Sequence, residues 1–237
     1  MTAEASVLRT SRPGPRRAWI VEWAMADERP LRIDLRDRAH LDEVVAAPAP
    51  GPLIVLRLQG AWADASALAA IGAWTAVPRL RAIFVGGATD GDGCLGALAA
   101  AVVLPRLERV YADGCGITSR GIAALAAAPG AAGLAVLHFA NRDSRWRATP
   151  NRVDDEGARS LAASPHLGAL GELDLTANPV GDGGAEALVT SPCLRSLHQL
   201  VLWGSGVTRE RAHATDARAR MGLHTDHDLR EVRWDLE

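Results

Sequence analysis

The chain has no lysine: all 26 of its basic residues are arginine. Set against an abundance of alanine and glycine, this is the composition of a GC-rich, bacterial-type coding sequence, so the arginine excess is not read as guanidinium chemistry. Net charge is only −2, which argues against non-specific nucleic-acid binding. No apolar run approaches the ~20 residues of a membrane-spanning helix, so no membrane partner is expected. Near the N-terminus Arg16-Arg17 precedes Ala18-Trp-Ile-Val21, and Ala24-Met-Ala26 has the form of a cleavage site. Glu22 interrupts that apolar stretch, which is already too short for an export signal. Cysteine is scarce and odd in number: Cys94, Cys115 and Cys193. This is neither a disulfide framework nor a metal cluster. It fits small buried residues in a reducing, cytoplasmic compartment.

What is present is a period. Leu53, Leu80, Leu107 and Leu134 are spaced by 27 residues; Leu170 follows after 36 and Leu197 after 27 again. The clearest copy reads Leu170-Gly-Glu-Leu173-Asp-Leu175-Thr-Ala-Asn178-Pro-Val180, then Gly184-Ala-Glu-Ala-Leu188. Two leucines alternating with a polar residue read as a half-buried strand, and the second half has helical spacing. The other copies carry Leu56/Leu58, Ile83/Val85, Val110/Ala112, Leu137/Phe139 and Leu200/Leu202 at the strand positions. A fixed period of this size marks a solenoid.

The pattern resembles the leucine-rich repeat family, in its ribonuclease-inhibitor-like class, over residues 53–207. The resemblance implies a right-handed α/β superhelix of six repeats, with parallel strands on a concave face and helices on a convex one. Family members of this kind place Asn or Cys where the strand turns, to satisfy backbone groups. That position here holds Ala61, Ala88, Cys115, Asn151, Asn178 and Ser205. The family is made mostly of protein-binding scaffolds. The implied function is therefore non-enzymatic binding of a protein partner, with no cofactor.

Both ends depart from the period, as terminal repeats do. Residues 1–17 read as a flexible arm and 18–52 as an N-terminal cap. The cap has strands at 18–24 and 31–36, a short helix from His40 to Ala47, and a Pro-rich end. Residues 208–237 read as a C-terminal cap: a helix from Thr208 to Met221, then a closing strand over Leu229 to Leu236 with Trp234 covering the last repeat. The stretch His224-Thr-Asp-His227-Asp reads as a polar turn, since its spacing is weak beside a zinc signature. Gly86 to Gly93 is glycine-rich but lacks the lysine of a phosphate loop.

Strand alternation assigns the outward residues. Position 5 of each copy gives Arg57, Phe84, Tyr111, His138, Asp174 and Val201; position 3 includes Arg109, and position 7 includes Trp203. Exposed aromatic residues suit a binding face, and stacking between neighbouring strands also explains them. The second candidate site is the insertion in the fourth copy, where a gap of 36 instead of 27 brings nine extra residues. It carries Arg142, Arg145, Trp146 and Arg147, a set suited to an anionic ligand. A third reading places Tyr111, His138 and Asp174 side by side on adjacent strands, as an acid–base row.

Overall fold

The computed structural model describes residues 31–35, 37–46, 53–74, 80–141, 149–208, 210 and 222–224. Among these, strands and helices alternate. They run β1 (Leu31–Leu35), α1 (Arg38–Ala46), β2 (Leu53–Gln59), α2 (Ala65–Gly72), β3 (Ala82–Gly86), α3 (Gly91–Ala99), β4 (Arg109–Asp113) and α4 (Ser119–Ala126). They continue with β5 (Val136–His138), α5 (Asp155–Ala162), β6 (Glu172–Asp174), α6 (Asp182–Val189), β7 (Gln199–Val201) and β8 (Gly222–His224). The eight strands form one parallel sheet in sequence order. Each strand pairs with its successor, so the crossovers from β1 to β7 each carry one helix to the same side. Parallel strands lie ~4.8 Å apart, whereas packed helices need ~8–10 Å. The sheet therefore takes the inside of the curve and the helices the outside.

The core runs along the axis between the two layers. The paired strand residues Leu56/Leu58, Ile83/Val85, Val110/Ala112, Leu137/Phe139, Leu173/Leu175 and Leu200/Leu202 are all buried. Leu80, Leu107, Leu134, Leu170 and Leu197 join them from the strand entrances. Cys94 occupies a helix position that is glycine in other copies, and its thiol donates to Ala63 O at 3.2 Å. Burial pushes the Cys94 thiol up to about 12 and the Cys115 thiol up to about 11. All three cysteines are free.

Helix starts are set by side-chain caps. Asp64, Asp90, Thr118 and Asp154 each accept from an amide of the first turn. Adjacent repeats supplement them. Asp92 accepts from Thr118 N at 2.7 Å, Thr118 Oγ1 at 2.6 Å and Gly121 N at 3.0 Å. Asp155 accepts from Gly181 N at 2.6 Å, where α6 has no side-chain cap of its own. Asp182 accepts from Thr208 N at 2.8 Å. Ser119 Oγ fills the same place beneath α5, accepting from Gly157 N at 3.0 Å and donating to Asp154 at 2.6 Å. That hydrogen bond holds the Asp154 carboxyl below its ordinary value, with the helix amides adding to the effect.

The ends differ from the expectations in three places. The first helix starts at Arg38, two residues early, because Asp37 Oδ1 accepts from His40 N at 2.9 Å and caps it. The strand at Leu31–Leu35 is itself part of the repeat sheet, parallel to β2, so the sheet begins before the first full copy. The last described strand is Gly222–His224, which begins just after the helix expected to end at Met221 and reaches into the stretch read as a polar turn. Leu223 aligns in register with Leu200, a continuation of the sheet that a single leucine did not announce. The strands expected at 18–24 and 229–236, Trp234, and most of the helix expected at 208–221 lie outside the described residues.

Candidate functional site

Register places position 5 of every strand in one row across the open face. In order it holds Asp34, Arg57, Phe84, Tyr111, His138, Asp174, Val201 and His224. Asp34 and His224 extend the row beyond the six copies. Phe84 and Tyr111 stack in parallel, with ring centroids 4.1 Å apart and planes 1° apart. His138 meets Tyr111 on the other side at 4.7 Å and 76°. Phe84 and Tyr111 therefore form one pile, with His138 turned across its end, and all three rings are half-buried. Their side-by-side stacking is what the pleat imposes on large planar groups on neighbouring strands.

The cationic groups flank the pile. Arg109, at position 3 of β4, is exposed, and Arg57 is half-exposed. The Gln59 carboxamide, with its oxygen turned toward Arg57, accepts from Nη2 at 2.7 Å and Nε at 2.9 Å. This neutral partner fixes the guanidinium without cancelling its charge.

Two residues of the position-5 row are not exposed. Asp174 is 1% exposed and Val201 2%, against the expectation that position 5 is open throughout. Strand alternation fixes the direction of a side chain but not what surrounds it. Asp174 Oδ1 accepts from Thr176 N at 2.8 Å, an Asx-type turn that brings the strand to its end. Tyr111, His138 and Asp174 do stand side by side, as the period places them. Trp203, on the connection after β7, is three strands from Tyr111, ~14 Å at ordinary strand spacing. Arg142, Arg145, Trp146 and Arg147 lie outside the described residues. Among the described residues no group of three or more His, Cys, Asp or Glu side chains could hold a metal ion.

The ends of the insertion are well defined. Asn151 Oδ1 accepts from Cys115 N and Ile117 N, both at 3.0 Å. Its Nδ2 donates to Ala112 O at 2.8 Å and Phe139 O at 3.0 Å. Asn178 repeats the arrangement one copy on, accepting from Val153 N at 3.0 Å and donating to Phe139 O at 2.8 Å. Cys115 Sγ donates to Val85 O at 3.4 Å. A buried column of turn-satisfying side chains, recurring at the leucine period, decides the matter. The repeats are leucine-rich repeats.

The leucine-rich repeat model matches residues 170–189, which is the copy with the fullest signature. Among solved structures, an internalin from Listeria monocytogenes is similar at 16% identity, covering 81% of this chain and 58% of that one, with a TM-score of 0.38. A protein from Bacteroides fragilis is similar at 11% identity, covering 81% of this chain and 71% of that one, with a TM-score of 0.39. This leucine-rich repeat chain thus spans little more than half of the internalin's length. No curated protein matches it in sequence. No helix among the described residues is long and apolar enough to cross a membrane.

Two features of this leucine-rich repeat face escape a reading by alternation. Asn141 is one: it donates to Ala177 O at 2.8 Å and closes the insertion. The capping set Asp92, Ser119, Asp155 and Asp182 is the other. It follows the same 27-36-27 spacing as the leucines, a signal available in the sequence.

Proposed function

We propose that the solenoid is a non-enzymatic protein-interaction scaffold. It takes its partner on the open face of the sheet, from the Arg57–Phe84–Tyr111 row to the insertion of the fourth repeat. The observation that carries this is the half-exposed ring pile on a face whose opposite side is fully packed. Aromatic groups already held rigid lose little entropy on binding, which suits them as anchors. The Asn141–Asn151 stem supports the insertion as a second contact, because it fixes both ends relative to the sheet. A helix in each of the first five repeats supports the ribonuclease-inhibitor-like class. Free, mostly buried thiols support a cytoplasmic setting.

The test is affinity capture from native lysate with wild type, Tyr111→Ala, Trp203→Ala and a deletion of 142–150, each checked for unchanged unfolding. Loss of a specific protein with Tyr111→Ala or the deletion supports the reading. The same proteins retained by every folded variant would remove it.

A further inference from the structure

We propose that the N-terminal half of the open face binds an extended acidic segment of a protein partner, with two carboxylates three or four residues apart, seated on Arg57 and Arg109. This rests on the scaffold reading above and gives its partner a chemistry.

Two arginines of the face that lack a carboxylate partner carry it. Arg32, on the same face, pairs with Asp34 at 2.9 Å, and Arg38, Arg81, Arg120 and Arg159 elsewhere each meet a carboxylate at 2.8–3.6 Å, whereas Arg106, Arg152 and Arg195 form no ion pair among the described residues. Among the described residues Arg57 and Arg109 form no ion pair, although both stand on the open face. Arg57 is held by a neutral amide, in place for an incoming anion. Guanidinium groups bind carboxylates through two parallel hydrogen bonds, so each offers a defined seat.

The rings between them favour the same ligand. Phe84 covers one side of Tyr111 and His138 the other, so Tyr111 presents its ring edge outward rather than a face. Ring edges carry the positive end of the aromatic quadrupole and attract electron-rich groups. With its faces covered, Tyr111 offers no stacking platform to a nucleic-acid base, which such binding requires. Glu172, at position 3 of β6, is half-exposed farther along the face and would repel a long polyanion. Asp113, at position 7 of β4, is also half-exposed on this face, so the acidic part of a ligand is confined to the span from Arg57 to Arg109.

The spacing follows from the sheet. Arg57 and Arg109 are two strands apart and offset by two residues along the strand. At ~4.8 Å per strand and ~3.3 Å per residue their origins lie about 12 Å apart, which an extended peptide covers in three to four residues. Val55 and Ala82 stand at position 3 on the two strands before Arg109, giving an apolar floor for a side chain between the two carboxylates.

The experiment is fluorescence anisotropy of the full chain with labelled peptides. The probes carry two glutamates around a leucine at spacings of two, three, four and seven, with glutamine versions and a short oligothymidine strand alongside. The three- and four-spaced peptides are expected to bind at least ~10-fold tighter than the others, and each of Arg57→Gln and Arg109→Gln to weaken them ~10-fold. Binding should also weaken as salt rises. Both arginines are on the surface, so thermal unfolding of the variants should match wild type. A flat spacing series, equal binding of the glutamine peptides, tighter binding of oligothymidine, or no saturable peptide binding overturns the proposal. A captured protein partner lost with Tyr111→Ala but kept by both arginine variants would overturn it while leaving the scaffold reading intact.

Discussion

Asn141 and Asn151 clasp each other across the insertion: Asn141 Oδ1 accepts from Asn151 N at 2.6 Å, and Asn141 Nδ2 donates to Asn151 O at 3.0 Å. The solenoid thus resumes its register after nine extra residues as though they were absent. Asn151 can then serve the turn of the preceding repeat while closing its own.

Asn151→Ala should be costly. It leaves the buried amides of Cys115 and Ile117 without their acceptor, a loss of about 3 kcal/mol. Asn141→Ala, nearer the surface, should cost about 1 kcal/mol. Urea unfolding compares them; an Asn151→Ala midpoint equal to wild type would mean that the column does not hold the turns.

Ala177→Gly should stabilise the protein. Ala177 has φ +58°, in the left-handed region, at the turn position where other repeats have Gly60, Gly87, Gly114 and Gly204, all with positive φ. An alanine there is strained by ~1–2 kcal/mol, part of which glycine returns as greater freedom of the unfolded chain. A net gain of about 0.5–1 kcal/mol is expected, read as a higher melting temperature. A lower one would show that the Ala177 methyl, against Gly204, matters more than the backbone.

Ser119→Ala should alter the response to acid. Ser119 lowers the Asp154 pKa in the folded state, so the bond adds stability above the ordinary carboxylate pKa of ~4. That stability is lost as pH falls through the folded value. Wild type should therefore exceed Ser119→Ala at neutral pH, with the gap narrowing below about pH 4. A gap independent of pH would assign the effect of Ser119 to its bond with Gly157 N alone.

The thiols should divide by burial. Cys94 and Cys115 are buried and their thiols are pushed up to about 12 and about 11, so neither forms thiolate near neutrality. Cys193 is half-buried. Alkylation of the native chain at pH 8 followed by peptide mass analysis should label Cys193 first, and all three after denaturation. Early labelling of Cys115 would contradict its place in the turn column.

The repeat sheet was readable because a period of 27 fixes both the strands and their register. Once Leu107 and Leu134 are aligned, Tyr111 must lie beside His138. The face was less readable. Alternation gives the direction of Asp174 but not its burial, which depends on groups brought near by the fold. The eighth strand escaped because Gly222-Leu223-His224 offers one leucine where the repeats offer two. The fixing of Arg57 by Gln59 needs side-chain rotamers, on which a sequence is silent.

The polar bonds between repeats have opposite senses. In the turn column, a side chain of the later repeat serves the earlier one: Asn151 takes the amides of Cys115 and Ile117, and Asn178 that of Val153. Among the helix starts, a side chain of the earlier repeat serves the later one: Asp92 takes Thr118 N, and Asp155 takes Gly181 N. Shortening the chain from its two ends is therefore not equivalent. Removal from the N-terminal side orphans helix amides on the convex rim, whereas removal from the C-terminal side orphans turn amides under the sheet. Hydrogen exchange on the two sets of truncations should show fast amides at these different places, and a stack of two repeats lacks something at both ends.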